Sequence, residues 1–165
     1  MTKRAVRHYV ADRAAGNDPQ TWRATAVMLL AAAQALHDAS DDRNPSGRPA
    51  GLLHPPEMLL RGYAFERLLK ALWVRAGNKL YEAGAYVRPN GVRDHDLPQL
   101  ARAVGLSLSA DQQHVLGMLS HYITVVGRYP LPKRADKIRL IKWRVPQDSD
   151  VLARLQAELQ RRVRE

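Results

Sequence analysis

His95 stands between Asp94 and Asp96, and Arg128 and Tyr129 follow later in the chain. An imidazole can exchange a proton, a guanidinium steady negative charge and a phenol donate a hydrogen bond, so His95, Arg128 and Tyr129 are candidates for acid–base chemistry; the structural reading is that His95 fastens a loop beside a capping Asp96 while Arg128 and Tyr129 close a helix end. No nucleophile is evident beside them, and the chain has no cysteine. That composition excludes disulfides, thiol catalysis and Cys-type zinc or iron–sulfur sites. Asp94, His95 and Asp96 are metal-ligand types, but three consecutive side chains seldom converge on one ion, so no metal and no other cofactor is expected. His114 and His121 are seven residues apart on one helical face, roughly 10 Å along the axis, too far to share an ion. Their strip, with Met118 and Val125, reads as exposed or as a dimer-packing surface. Glu66 lies at the margin of an apolar stripe and needs a partner. Lys70, four residues on, offers an intrahelical ion pair.

Lys and Arg total 26 against 16 acidic residues, a formal net charge of +10. Such a field draws in polyanions without specifying a fold or a reaction. The charge is dense between Arg128 and Arg144, where Lys133, Arg134, Lys137, Arg139, Lys142 and Arg144 surround Trp143 and Asp136 is the one acid. This run reads either as a solvated basic face or as a surface that tracks phosphates while the indole stacks on a base.

The elements that must position these residues follow from period and punctuation. At 165 residues the chain fits one domain around one core. Residues 3–15 read as a short polar helix or an arm. Asp18 and Pro19 open a helix whose Trp22, Ala26, Leu29, Leu30, Ala33 and Leu36 share a face, and residues 38–51 read as a loop. Pro55 and Pro56 start the longest helix, which carries Phe65, Leu68, Leu69, Leu72, Trp73 and Ala76 and stops at Gly77. Residues 79–94 read as a long irregular connection. Asp96 caps a short helix, and Ser109 with Gln112 forms a capping box before Val115, Leu119, Tyr122 and Val126, closed by Gly127. Asp148, Ser149 and Asp150 cap a last helix whose Leu152, Leu155 and Leu159 share a face. The prediction is an all-α antiparallel bundle of about five helices, with a core over residues 19–132, a basic segment 133–147 and a C-terminal helix 148–164. The longest nearly uncharged stretch, Ala24 to His37, is too short to span a membrane, and the polar residues up to Gly16 lack a signal-peptide core, so a cytoplasmic address is expected.

Three pieces of the chain taken together resemble the HEPN family of helical bundles: Gly62-Tyr-Ala-Phe-Glu66-Arg-Leu-Leu-Lys70-Ala-Leu in the long helix, Asp94-His95-Asp96-Leu97-Pro-Gln-Leu100 before the short helix, and Arg128-Tyr129-Pro130 after the fourth. The resemblance spans roughly Trp22 to Pro132, makes Glu66, Lys70, His95, Asp96, Arg128 and Tyr129 the family-pattern residues, and implies that Glu66 bonds His95 or Arg128 and pins the long loop to the bundle. It implies a homodimer that serves as an RNA-cleaving toxin, as the partner of a minimal nucleotidyltransferase, or as a catalytically silent module. Cleaving members carry an Arg four to six residues before a His. Neither His114 nor His121 has such an Arg, and a formal match, Arg48 to His54, falls in a stretch read as loop with no helix to fix it. The expectation is therefore a HEPN-like binding or accessory module in a nucleic-acid or nucleotide context, without a complete catalytic site and with an antitoxin or nucleotidyltransferase as conceivable partner. The alternatives are a metal-independent endoribonuclease of a toxin–antitoxin or defence system, built around His95, Arg128 and Tyr129, and a purely structural interaction module.

Overall fold

In the computed structural model of the chain, residues 15–41, 54–126 and 146–165 are described. Helix α1 (Pro19–Asp41) begins where the sequence places its cap. One Asp18 carboxylate oxygen accepts the Gln20 N–H at 3.0 Å, and the other accepts the Thr21 N–H at 3.1 Å and the Thr21 hydroxyl at 2.8 Å. The Thr21 hydroxyl, followed by these backbone N–H groups, holds the Asp18 carboxyl below its usual pKa. The helix runs through Asp38 to Asp41, where a loop was expected. An amide of Gln34 bonds the Asp38 carboxylate one turn on, at 2.7 Å, and carries the helix past the apolar pattern.

Helix α2 (His54–Arg75) is the hub. It packs against α1 most extensively, and also against α3 (Leu97–Ala103), α4 (Ala110–His121), the π turn Tyr122–Val126 and α5 (Gln147–Arg164). A helix touching so many neighbours needs a wide apolar surface, and Ala64, Phe65, Leu68, Leu69, Ala71 and Val74 are all buried on it. Ala76 lies past the helix end and is exposed, so the stripe is centred earlier than the sequence suggested. His54, expected in a loop, is the first residue of α2; Arg48 lies outside the described residues. Gly62 is required by close approach: a Cβ there would meet Ile123 Cγ1 at 2.7 Å and the Leu119 carbonyl at 3.1 Å.

The stretch read as an irregular connection holds a hairpin, β1 (Tyr81–Glu82) with β2 (Ala85–Tyr86), antiparallel with Tyr81 opposite Tyr86. Ala83 at φ 48 and Gly84 at φ 85 supply the two left-handed residues of a tight turn that matches the strand twist. Asn17 fastens this hairpin to the start of α1. Its amide donates to the Tyr81 carbonyl at 2.7 Å, and its carbonyl accepts the N–H groups of Leu80 at 2.8 Å and Tyr81 at 3.0 Å.

Asp96 caps α3 by accepting the Gln99 N–H at 3.0 Å. The Ser109–Gln112 capping box opens α4, with bonds of 2.9 and 3.2 Å. Leu152, Leu155 and Leu159 of α5 are buried as its pattern requires. The start of α5 differs from expectation. The N-cap of the helix is Pro146, which has no side-chain oxygen to cap with, and Asp148 sits inside the first turn with no exposure at all. His114 of α4 lies against it, with Nε2 3.4 Å from the Asp148 carboxylate across the α4–α5 contact but outside hydrogen-bond geometry. Met118, read with His114 as part of a strip that is either exposed or packed at a dimer surface, is only 1% exposed within this one chain. The described residues thus form an all-α arrangement of five α-helices with one two-stranded hairpin. None of these helices is long and apolar enough to cross a membrane.

Candidate functional site

Glu66 is 6% exposed on α2 and both of its carboxylate oxygens are engaged. Lys70 Nζ donates to one at 2.6 Å, and His95 Nδ1 lies 2.9 Å from the other. A carboxylate only accepts, so the imidazole proton is on Nδ1. Burial alone would raise the Glu66 pKa, but the Lys70 charge, with the hydrogen bonds from Lys70 and His95, outweighs it and holds the carboxyl below its ordinary range. Burial likewise pulls Lys70 down, and the Glu66 charge more than reverses this, so the ammonium is held above the usual lysine value. Lys70 is more than an intrahelical partner. Its Nζ lies 5.5 Å from the Trp22 ring centroid and 5.0 Å from that of Tyr86, so the cation is sandwiched between α1 and the hairpin.

His95 reaches Glu66 from a left-handed backbone, φ 61, which costs a non-glycine residue about 1 kcal/mol or more and persists only where surrounding contacts hold it. The Tyr63 ring packs edge-on against it at 6.1 Å. Its two acidic neighbours look elsewhere. Asp94 pairs with Arg88 at 3.2 Å, while Asp96 caps α3 and receives Arg93 at 3.1 Å. The three side chains of this short segment therefore share no partner, and among the described residues no group of three acidic or imidazole donors is arranged to hold a metal. Leu97 N–H, next in the chain, donates to Ser120 Oγ at 3.0 Å and ties the segment to α4.

Two spaces adjoin the network. The one bounded by Glu66, Lys70, Tyr86 and His95 encloses about 10 Å³, room for about one water. The other is an open cleft of about 430 Å³ between the His95 segment and α4, lined by His95, Asp96, Ser120, His121 and Thr124. Glu66 and Lys70 are thus mostly buried, with side chains 8% and 14% exposed, while the His95 ring, 27% exposed, borders solvent more openly.

Of the residues that the sequence singled out, the fold brings together Glu66, Lys70 and His95, with Asp96 adjacent but committed to α3. Arg128 and Tyr129 lie outside the described residues, as do Lys133, Arg134, Lys137, Arg139, Lys142, Trp143 and Arg144. Sequence reasoning missed Trp22 and Tyr86 around the Lys70 ammonium, Tyr63 against His95, and the Asn17 clamp. Aromatic residues flanking a lysine from other elements leave no local signal. Comparison with protein-family models, curated proteins and solved structures finds no match to this chain.

Proposed function

We propose that this chain is a HEPN-like accessory module that binds in a nucleic-acid or nucleotide context, as a homodimer, and does not cleave with a complete catalytic set of its own. The observation that carries this reading is the engagement of Glu66. Its carboxylate, Lys70 and His95 Nδ1 are spent on one another beside a space of only about 10 Å³, which is the arrangement of a clasp between α2 and the loop before α3. The net charge of +10 supports a polyanionic partner.

The test is a mobility-shift titration of structured RNA and of duplex DNA at two salt concentrations. Binding should weaken steeply with salt, and reversing charge at Arg139 and Lys142 should weaken it further at low salt. Binding that ignores both salt and these charges would remove the nucleic-acid reading.

A second reading, a metal-independent endoribonuclease, is favoured by the buried carboxylate behind His95. Glu66 fixes the proton on Nδ1 and leaves Nε2 as the ring nitrogen for acid–base work, and the ring borders the open cleft that also contains His121. The integrity of the bound RNA separates the two readings.

A further inference from the structure

Helix α1 turns one face onto α2, and the opposite face carries apolar residues in water. Ala24, Val27, Met28, Ala31, Ala32 and Ala35 are all exposed and form one strip at steps of three and four residues. Val27 is 45% exposed and Met28 69% exposed. Between Arg23 and Asp38 the helix has no Asp, Glu, Lys or Arg, although 25% of the chain is charged. Alanine on a surface helix follows from helix propensity alone. Val27 and Met28 do not, because a β-branched residue lowers that propensity and a proud thioether side chain leaves apolar surface in water. A continuous apolar face of about three turns, topped by two large side chains, is the mark of an interaction surface.

The occupant that fits this strip is a second copy of it. Laid antiparallel about a two-fold axis between Leu29 and Leu30, Met28 meets the partner's Ala31, Val27 the partner's Ala32, and Ala24 the partner's Ala35. Each large side chain then faces an alanine, which lets the two helix axes approach to about 8 Å. Charge selects the same arrangement. Arg23 stands toward the N-terminal end of α1 and the exposed Asp38 toward its C-terminal end, so neither gains from the dipole of its own helix. In the antiparallel pair Arg23 falls about 3 Å along the axis from the partner's Asp38 on the same edge of the strip. A parallel pair would set Arg23 against Arg23 and Asp38 against Asp38. Two chains of net charge +10 repel, and an uncharged strip lets them meet without facing like charges. The α4 strip that the sequence offered as a dimer surface is less suited, because Met118 is spent in the core of its own chain.

We propose that the outer face of α1 is the seam of a symmetric homodimer, in which two copies pair antiparallel through Val27, Met28 and the alanines around them. This rests on the homodimer in the reading above and names the surface that makes it. The cleft beside His95 has no α1 residue in its lining, so both copies keep it open. A single helix pair makes a small interface, and the dimer dissociates on dilution. Apolar burial drives it against the repulsion of two basic chains, so association holds or tightens as salt rises, the reverse of polyanion binding.

The experiment is sedimentation equilibrium of the full chain over a range of concentrations at low and high salt, with circular dichroism to follow folding. Wild type should show a monomer–dimer equilibrium. Met28→Glu and Ala31→Lys should each raise the dissociation constant about tenfold or more and leave the Tm of the dilute chain unchanged, because both positions are exposed. Mixed together, these two variants should recover a dimer, since the antiparallel register sets the introduced carboxylate against the introduced ammonium. Failure of the mixture to pair would overturn the proposal. A dimer untouched by Met28→Glu and lost in His121→Glu would place the seam on α4, overturning the proposal while the homodimer stands. A wild type that stays monomeric at every concentration overturns both. In that case a Tm lowered by Met28→Glu would mean that the face is covered by the chain's own residues, and an unchanged Tm would leave it to a protein of another sequence. Should Met28→Glu fail to fold, Ala31→Lys alone carries the decision.

Discussion

Changing Glu66 to Gln keeps the shape of the side chain and removes its charge, which isolates what the clasp contributes. In the wild-type protein the carboxylate accepts from Lys70 at 2.6 Å and from His95 at 2.9 Å. Gln offers one oxygen and one NH₂, so it cannot accept from both donors, and His95 must shift its proton off Nδ1 or lose the contact. The Lys70 ammonium, with a side chain 14% exposed, keeps its two aromatic faces and loses its counter-ion. Removing one partner of a buried pair costs about 3–5 kcal/mol, and the hydrogen bonds concerned contribute about 1.5–3 kcal/mol each. Allowing for the retained amide contact and the aromatic rings, the loss should be about 3 kcal/mol, which for a domain of this size lowers Tm by about 6–12 °C. Thermal and urea unfolding followed by circular dichroism measure it. Glu66→Gln combined with Lys70→Met removes the stranded cation and should recover part of the loss. Acid titration supplies the sign. The folded Glu66 pKa is depressed, so its contribution is complete above the ordinary carboxyl range and disappears as pH falls through the depressed value. The gap between wild type and Glu66→Gln should therefore close in acid. A Tm within about 2 °C of wild type at neutral pH, or a gap that widens in acid, would refute the reasoning.

Asn17→Ala removes three bonds to the hairpin, and the amides of Leu80 and Tyr81 should lose protection in hydrogen exchange while α3 and α4 keep theirs. His114→Ala leaves the fully buried Asp148 without its imidazole, and should cost about 1–3 kcal/mol in urea unfolding. Gly62→Val drives a branched side chain into Ile123, whose Cγ1 would already lie 2.7 Å from a Cβ, and should destabilise by about 1–3 kcal/mol or more despite the better helix former. At the alkaline end the Lys70 contribution, whose folded pKa is raised, should be complete below the ordinary lysine value and fade as pH climbs through the raised one, so Lys70→Met and wild type should converge there.

Local signals carried much of the architecture. Asp18 with Pro19, Asp96, and Ser109 with Gln112 open helices because a cap needs only residues within three positions, and the burial of Leu152, Leu155 and Leu159 follows from a single helical period. Contacts between distant residues left weaker traces. Asn17 reads locally as part of a breaker, yet its partners are the backbone of residues 80 and 81. Asp148 has the composition of a cap, and only the position of α4 beside it makes it a buried partner of His114. Glu66 with His95 was legible through the family resemblance, while Trp22 and Tyr86, which complete the Lys70 environment, come from elements whose packing no local pattern specifies. His54, Glu57 and Arg61 do fall on one face of α2 at steps of three and four residues. Pro55 and Pro56 read as the helix start and leave His54 outside that pattern, and His37 joins them only through the packing of α1 on α2.

The central claim, binding without cleavage, is tested most directly by the length of a structured RNA held with excess pure protein. Denaturing gels over a time course should show RNA that is shifted in native gels and still full-length, with wild type and His95→Ala alike. Fragments that accumulate with wild type and vanish with His95→Ala would contradict the account and make the Glu66–His95 pair part of an active site.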